Sequence, residues 1–160
     1  LPYIRIEFAG ASAEEENSIN MPFRQLLAQA EAEQEAQSEM AINLSRQELT
    51  SLDIASLSHS RVVTINASHN QLAAIPSSIS DMTQLQVLLL DNNRLKVLPE
   101  SLCRLEHLEW LSITNNELHE LPKNIAMLTN LSQLILYGNR FDQHEQDRIK
   151  ATFPDLEVVF

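Results

Sequence analysis

The side chains capable of chemistry fall into two groups, one scattered and one periodic, and they point to different work. The five histidines, His59, His69, His107, His119 and His144, are dispersed. No pair stands four residues apart on a helical stretch, as two ligands of one metal would. The chain also has no H-E-x-x-H, no Gly-rich phosphate loop and no G-x-S-x-G nucleophile elbow. His69 and Asp91 can fall near each other on adjacent strands, where a solvated polar pair is the simpler reading. No catalytic residue, metal ligand or cofactor is assigned, and the chain reads as a non-enzyme. The periodic group is a set of amides. Asn70, Asn93, Asn116 and Asn139 follow one another at intervals of 23 residues. An asparagine carries two N–H donors and an acceptor on a short stem, so a single buried side chain can satisfy several backbone groups at a turn that has no ladder partners.

The elements that must position these amides repeat with them. Eight residues before each stand Val62, Leu85, Leu108 and Leu131, and five before stand Ile65, Leu88, Leu111 and Leu134. Three before are Ala67, Leu90, Ile113 and Leu136, and two after are Leu72, Leu95, Leu118 and Phe141. Ile75-Pro76, Leu98-Pro99 and Leu121-Pro122 follow, then Ile79, Leu102 and Ile125 with Met82, Leu105 and Leu128. Such columns alternate over one short strand and leave period two where the chain turns. A degenerate unit with Ile42, Leu44, Gln47, Leu49 and Leu52 precedes them.

This pattern resembles the leucine-rich repeat family, whose core reads L-x-x-L-x-L-x-x-N-x-L. The resemblance covers about residues 41–141 and implies an α/β solenoid of about five units, with a short curved parallel sheet on its concave face. One unit cannot bury its apolar side alone, so neighbours stack into a continuous core. The resemblance turns Asn70, Asn93, Asn116 and Asn139 inward as a structural ladder, with Gln47 as a poorer fit in the first unit. The preceding residue of each pair, Asn92 or Asn115, belongs to the exposed strand end. His69 and Gly138 hold that place elsewhere, so the doubled asparagines read as partly coincidental.

Both ends are expected to be capped. "RQLLAQAEAEQEAQSEM" is rich in strong helix formers and places Phe23, Leu26, Leu27 and Ala30 on one face, which predicts a capping helix over 20–40. Its apolar face is alternatively a docking site. Residues 1–19 are an N-terminal extension or the remnant of a preceding segment. "LPYIRIEF" shares a pattern with the closing "FPDLEVVF", so residues 1–8 can be read as the last strand of an earlier array. At the other end Asp142 and Glu145 form a D-x-x-E pattern that predicts a helix over 142–152. An edge strand with Leu156, Val158 and Phe160 on the core completes a C-terminal cap at 142–160.

Composition narrows the function. The formal charge of −11, with eleven scattered Lys and Arg residues, disfavours nucleic acid. No apolar run approaches the ~20 residues of a membrane helix, so no membrane partner is expected. The single cysteine, Cys103, forms no intramolecular disulfide and suggests a reducing compartment. Asn43-Leu-Ser, Asn66-Ala-Ser and Asn130-Leu-Ser match glycosylation sequons, but sugars on Asn43 and Asn66 would block the exposed strand face. Together these point to a cytoplasmic protein; the helix followed by "AINLSRQELTSL" resembles the entry into bacterial repeat arrays, which implies a bacterial source, with a secreted bacterial effector as the alternative.

Residues between the core positions point away from the core, because side chains alternate across a strand. Three columns result: Ala41, Thr64, Val87, Trp110 and Gln133; Asn43, Asn66, Leu89, Ser112 and Ile135; Ser45, Ser68, Asp91, Thr114 and Tyr137. From the third strand on, Val87, Leu89, Trp110, Ile135 and Tyr137 can join as one apolar-aromatic patch, with Asp91, Glu109 and Arg140 as neighbours. Patches of this kind mark partner sites, where Trp and Tyr are favoured anchors. Trp110 and Val87 can instead tuck against neighbours and only stabilise the sheet. The expected function is a non-catalytic protein-protein interaction module that binds a protein or peptide on the concave face. The alternative is the substrate-recognition part of a larger kinase, GTPase or ubiquitin ligase. Self-association through the patch or an edge strand is a further possibility.

Overall fold

Six short strands lie side by side in chain order and run parallel: β1 (Met40–Asn43), β2 (Val62–Asn66), β3 (Val87–Leu89), β4 (Trp110–Ser112), β5 (Gln133–Ile135) and β6 (Val158–Val159). The computed structural model describes residues 39–57 and 61–160, and residues 39–160 form a unit of their own. The N-terminal extension and nearly all of the capping helix expected over 20–40 lie outside the described residues. Met40, the last residue of that expected helix, is already strand and pairs with Val62.

From β2 to β5 every paired residue lies opposite the one 23 further on, as in Val87 with Trp110 and Leu111 with Leu134. The last pairing, Leu134 with Val158 and Ile135 with Val159, has an offset one residue longer, because a helix replaces the usual return path. That helix, α1 (Gln143–Thr152), is capped by Asp142, whose Oδ1 accepts the Glu145 N–H at 2.8 Å.

The return path from each of β2, β3 and β4 is a 3₁₀ turn, at Ser77–Asp81, Glu100–Arg104 and Ile125–Met127. Pro76 and Pro99 are the N-caps of the first two, and Pro122 stands two residues before Asn124, the N-cap of the third. Pro76, Pro99 and Pro122 have no N–H to strand and a φ preset for the turn, and their carbonyls accept the N–H groups of Ile79, Leu102 and Ile125 at 3.1, 3.0 and 3.2 Å. These three isoleucine and leucine side chains point into the coil and are wholly buried. They meet the mid-strand residues Ile65, Leu88, Leu111 and Leu134, also buried, so each coil closes on an aliphatic centre that stacks on the next. Burying one such side chain is worth roughly 1.5–3 kcal/mol, which makes this stack the main source of stability.

The asparagine ladder runs along the interior edge of the strands. Asn93 Oδ1 accepts the Leu72 N–H at 3.0 Å, while its Nδ2 donates to the carbonyls of Ala67 and Leu90, both at 3.0 Å. Asn116 does the same for the next coil, accepting from Leu95 at 3.0 Å and donating to Leu90 at 3.0 Å. Asn139 accepts from Leu118 at 3.1 Å and donates to Ile113 and Leu136 at 2.7 Å. Asn70 accepts from both Gln47 and Leu49 at 3.0 Å and donates to Leu44 and Ala67 at 2.9 Å. Gln47 itself is exposed, so the first unit receives a staple from Asn70 and supplies none.

The doubled asparagines are more than coincidence. Arg46, His69, Asn92, Asn115 and Gly138, which hold the same place in successive coils, all have positive φ, between 50° and 76°, and Glu48 adds a second such residue in the first unit. Asn and Gly tolerate this left-handed backbone at lower cost than other residues. The first asparagine of each pair therefore turns the chain, and the second staples the turn. The Asn115 Nδ2 also donates to Asn92 Oδ1 at 3.1 Å, and the Asn92 amide lies 3.5 Å from His69 Nε2. His69 thus reaches Asp91 only through its backbone N–H, at 2.8 Å to the Asp91 carbonyl, and its ring sits against Asn92.

Candidate protein-binding face

Strand register brings the outward residues together. Val87, Trp110 and Gln133 form one row across β3, β4 and β5, and Leu89, Ser112, Ile135 and Val159 form the next. Asp91, Thr114 and Tyr137 follow just beyond the strand ends, where the turns are still joined by Asn92 N–H to Thr114 and Asn115 N–H to Tyr137, both at 2.8 Å. Trp110 is 39% exposed, Tyr137 58% and Val159 48%, while Val87, Leu89 and Ile135 are half-buried among them. Trp110 is not sealed against the sheet. Val159 was not expected in the patch; the signal was the alternation that sends Val158 to the core and so must send its neighbour outward. With β6 added, the sheet spans about 24 Å at ~4.8 Å per strand spacing, rather than the ~20 Å of five strands.

The polar side chains of this face are partly committed to one another. Asp91 Oδ1 accepts three hydrogen bonds, from Ser112 Oγ at 2.6 Å, Thr114 N–H at 2.7 Å and Thr114 Oγ1 at 2.8 Å. Its carboxylate therefore lies over the same face as Ser112. Asn43 Oδ1 accepts from Ser45 N–H at 3.0 Å and Ser45 Oγ at 2.7 Å, and Asn66 Oδ1 from Ser68 N–H at 3.1 Å. The β1–β2 half of the face is thus polar and tied back onto its own strand ends, whereas the β3–β6 half carries the exposed apolar and aromatic side chains around the Asp91 network. Glu109 projects to solvent just before β4, its carbonyl holding Ser132 and Gln133. Arg140 is paired with Glu117 at 3.2 Å.

Elsewhere the polar groups serve the scaffold. Glu145 does not turn back on Asp142; its Oε1 accepts the Leu121 N–H at 2.8 Å, and Arg148 binds both its oxygens at 2.6 and 2.7 Å. These hydrogen bonds, those from Arg148 first, hold the Glu145 carboxyl below the usual glutamate range. Cys103 is buried, and desolvation with the nearby Glu100 charge pushes its thiol up to about 11. Among the described residues, no three His, Cys, Asp or Glu side chains come together as a metal site, and no helix is long and apolar enough to cross a membrane.

Parallel strands, 3₁₀ returns and an inward asparagine ladder, all at a 23-residue period, define a leucine-rich repeat solenoid. The leucine rich repeat family model matches residues 83–141. A leucine-rich repeat protein of Leptospira interrogans is 31% identical, with a TM-score of 0.72 over 74% of this chain. A chain of the SNF/U2A′ complex of Drosophila melanogaster has the same fold at 24% identity, with a TM-score of 0.59 over 75% of this chain and 71% of its own length. The present chain thus has the leucine-rich repeat fold, with the family's own repeat matched over residues 83–141. It spans 30% of the length of the Leptospira protein. No curated protein matches the sequence.

Proposed function

We propose that this chain is a non-catalytic protein-interaction module that holds a protein or peptide on the apolar half of its concave face. The observation that carries the reading is the exposure of Trp110 and Tyr137 on a rigid sheet, flanked by Val87, Leu89, Ile135 and Val159. Water gains nothing from these side chains, and burying aromatic anchors in a partner is where most interface energy is found. Determination of leucine-rich repeat chains within protein complexes, as in the SNF/U2A′ assembly, is consistent with such a role.

Trp110→Ala tests the reading. Partners recovered from a lysate of the source organism should fall at least tenfold relative to wild type, since truncating a central aromatic anchor costs about 2 kcal/mol or more. The melting temperature should stay close to that of wild type, because the indole is not sealed in the core. Undiminished recovery, or a loss of folding that parallels the loss of capture, would assign Trp110 to sheet packing instead.

A further inference from the structure

We infer that the occupant of this face is a peptide segment that presents a basic residue, Lys or Arg, beside its apolar anchors, with the basic head seated on Asp91. The inference rests on the concave-face reading and adds the chemistry of the partner.

None of the chain's eleven Lys and Arg residues stands in the three outward columns, and Asp91 is the one charged residue in them. Its carboxylate is held in place by three hydrogen bonds to Oδ1, and no donor among the described residues reaches Oδ2. A fixed carboxylate with a vacant oxygen, over the face and not buried beneath it, is a ready acceptor for an ammonium or guanidinium group. Its surroundings suit the rest of such a side chain. Leu89 precedes it by two residues on the same face, and Thr114 and Tyr137 continue its row, so the aliphatic stem of a Lys or Arg can lie on apolar surface while the head reaches Oδ2. Glu109 carries the same sign just before β4, and the chain's net negative charge favours encounter with a basic segment.

The geometry also sets a spacing. Trp110 shares a row with Val87, and Asp91 lies four residues beyond that row. At ~3.3 Å per residue this is about 13 Å. A segment lying along the strands would therefore carry its basic residue about four positions from the Trp110 anchor if extended, or eight to nine if helical at ~1.5 Å per residue.

A peptide-display library selected on the folded full chain, with counter-selection on Trp110→Ala, tests this. Sequences that depend on Trp110 should be enriched in Lys or Arg at one of those offsets from a large apolar residue. A synthetic peptide of the selected consensus should shift the emission of Trp110, the chain's only tryptophan. Its affinity should fall roughly tenfold with Asp91→Asn, which keeps Oδ1 for Thr114 but removes the charge. Asp155→Asn, which removes the same charge from an exposed turn, should leave affinity unchanged. Exchanging the peptide's basic residue for Glu gives the same comparison with the wild-type protein, should Asp91→Asn melt early. Trp110-dependent peptides with no basic preference, or equal losses for Asp91→Asn and Asp155→Asn, would overturn the inference and leave the concave-face reading standing. Absence of any Trp110-dependent peptide would overturn both.

Discussion

Replacing Asn93 and Asn116 by alanine, singly and together, measures whether the ladder works as its hydrogen bonds indicate. Asn93→Ala removes the partner of the Leu72 N–H, and Asn116→Ala that of the Leu95 N–H. In either single variant the shared Leu90 carbonyl keeps the other amide, because both side chains donate to it at 3.0 Å. The Ala67 and Ile113 carbonyls likewise keep Asn70 and Asn139. Each single change therefore orphans one buried N–H, at a cost of about 1–3 kcal/mol. The double variant orphans both N–H groups and, in addition, the Leu90 carbonyl. Its cost should exceed the sum of the singles by about 1–2 kcal/mol, a coupling well above the ~0.5 kcal/mol scatter of independent sites. Against a typical total of about 5–15 kcal/mol, the double variant should be close to unfolding. Urea titration followed by far-ultraviolet circular dichroism reads these differences as shifts in midpoint at unchanged slope. A double variant that costs no more than the sum, or a single variant indistinguishable from wild type, would show that water replaces the amides and that the ladder is not what closes the coils.

Three further outcomes follow from the same geometry. Gly138→Ala should lower the melting temperature, since φ is +76° and the added Cβ would sit 2.3 Å from Asn115 Oδ1; the left-handed backbone alone costs about 1–2 kcal/mol, and an unchanged melt would refute the steric account. Because the folded Glu145 carboxyl lies below its unfolded range, the Arg148 pair contributes stability that is fully present above that range and lost as pH falls from it through the lowered folded value; Glu145→Gln should flatten the acid side of a plot of urea midpoint against pH, and an unaltered acid side would refute the linkage. Cys103, with its thiol raised from 9.0 to about 11, carries about a hundredfold less thiolate in mild alkali than an unperturbed cysteine, so a chromogenic disulfide reagent should label the folded chain slowly and the urea-unfolded chain at once.

The sequence made the core and the ladder legible because a strict 23-residue period puts the same kind of residue at the same place in every coil. Leu88, Leu111 and Leu134 are each recognisable from the other two. What could not be read was set by backbone angle or by neighbours across the sheet. The left-handed position is filled by Arg46, His69, Asn92, Asn115 and Gly138, which share a conformation but range over four residue types. Asp91 is readable as a neighbour of the patch, but the occupation of its Oδ1 by Ser112 and Thr114 is a consequence of strand register that no local pattern announces. Val159 escaped notice because β6 is two residues long and lies one residue off the 23-residue register.

The staples also have a direction. Asn70, Asn93, Asn116 and Asn139 each bind backbone groups of the coil before them, and the Glu145–Arg148 pair likewise reaches back to Leu121. A coil emerging from the ribosome is therefore left with open backbone groups until its successor arrives, so each coil is closed one step behind synthesis. Shortening it from the far end would reopen the last remaining coil, whereas shortening it from the near end would take no asparagine staple from the coils that remain.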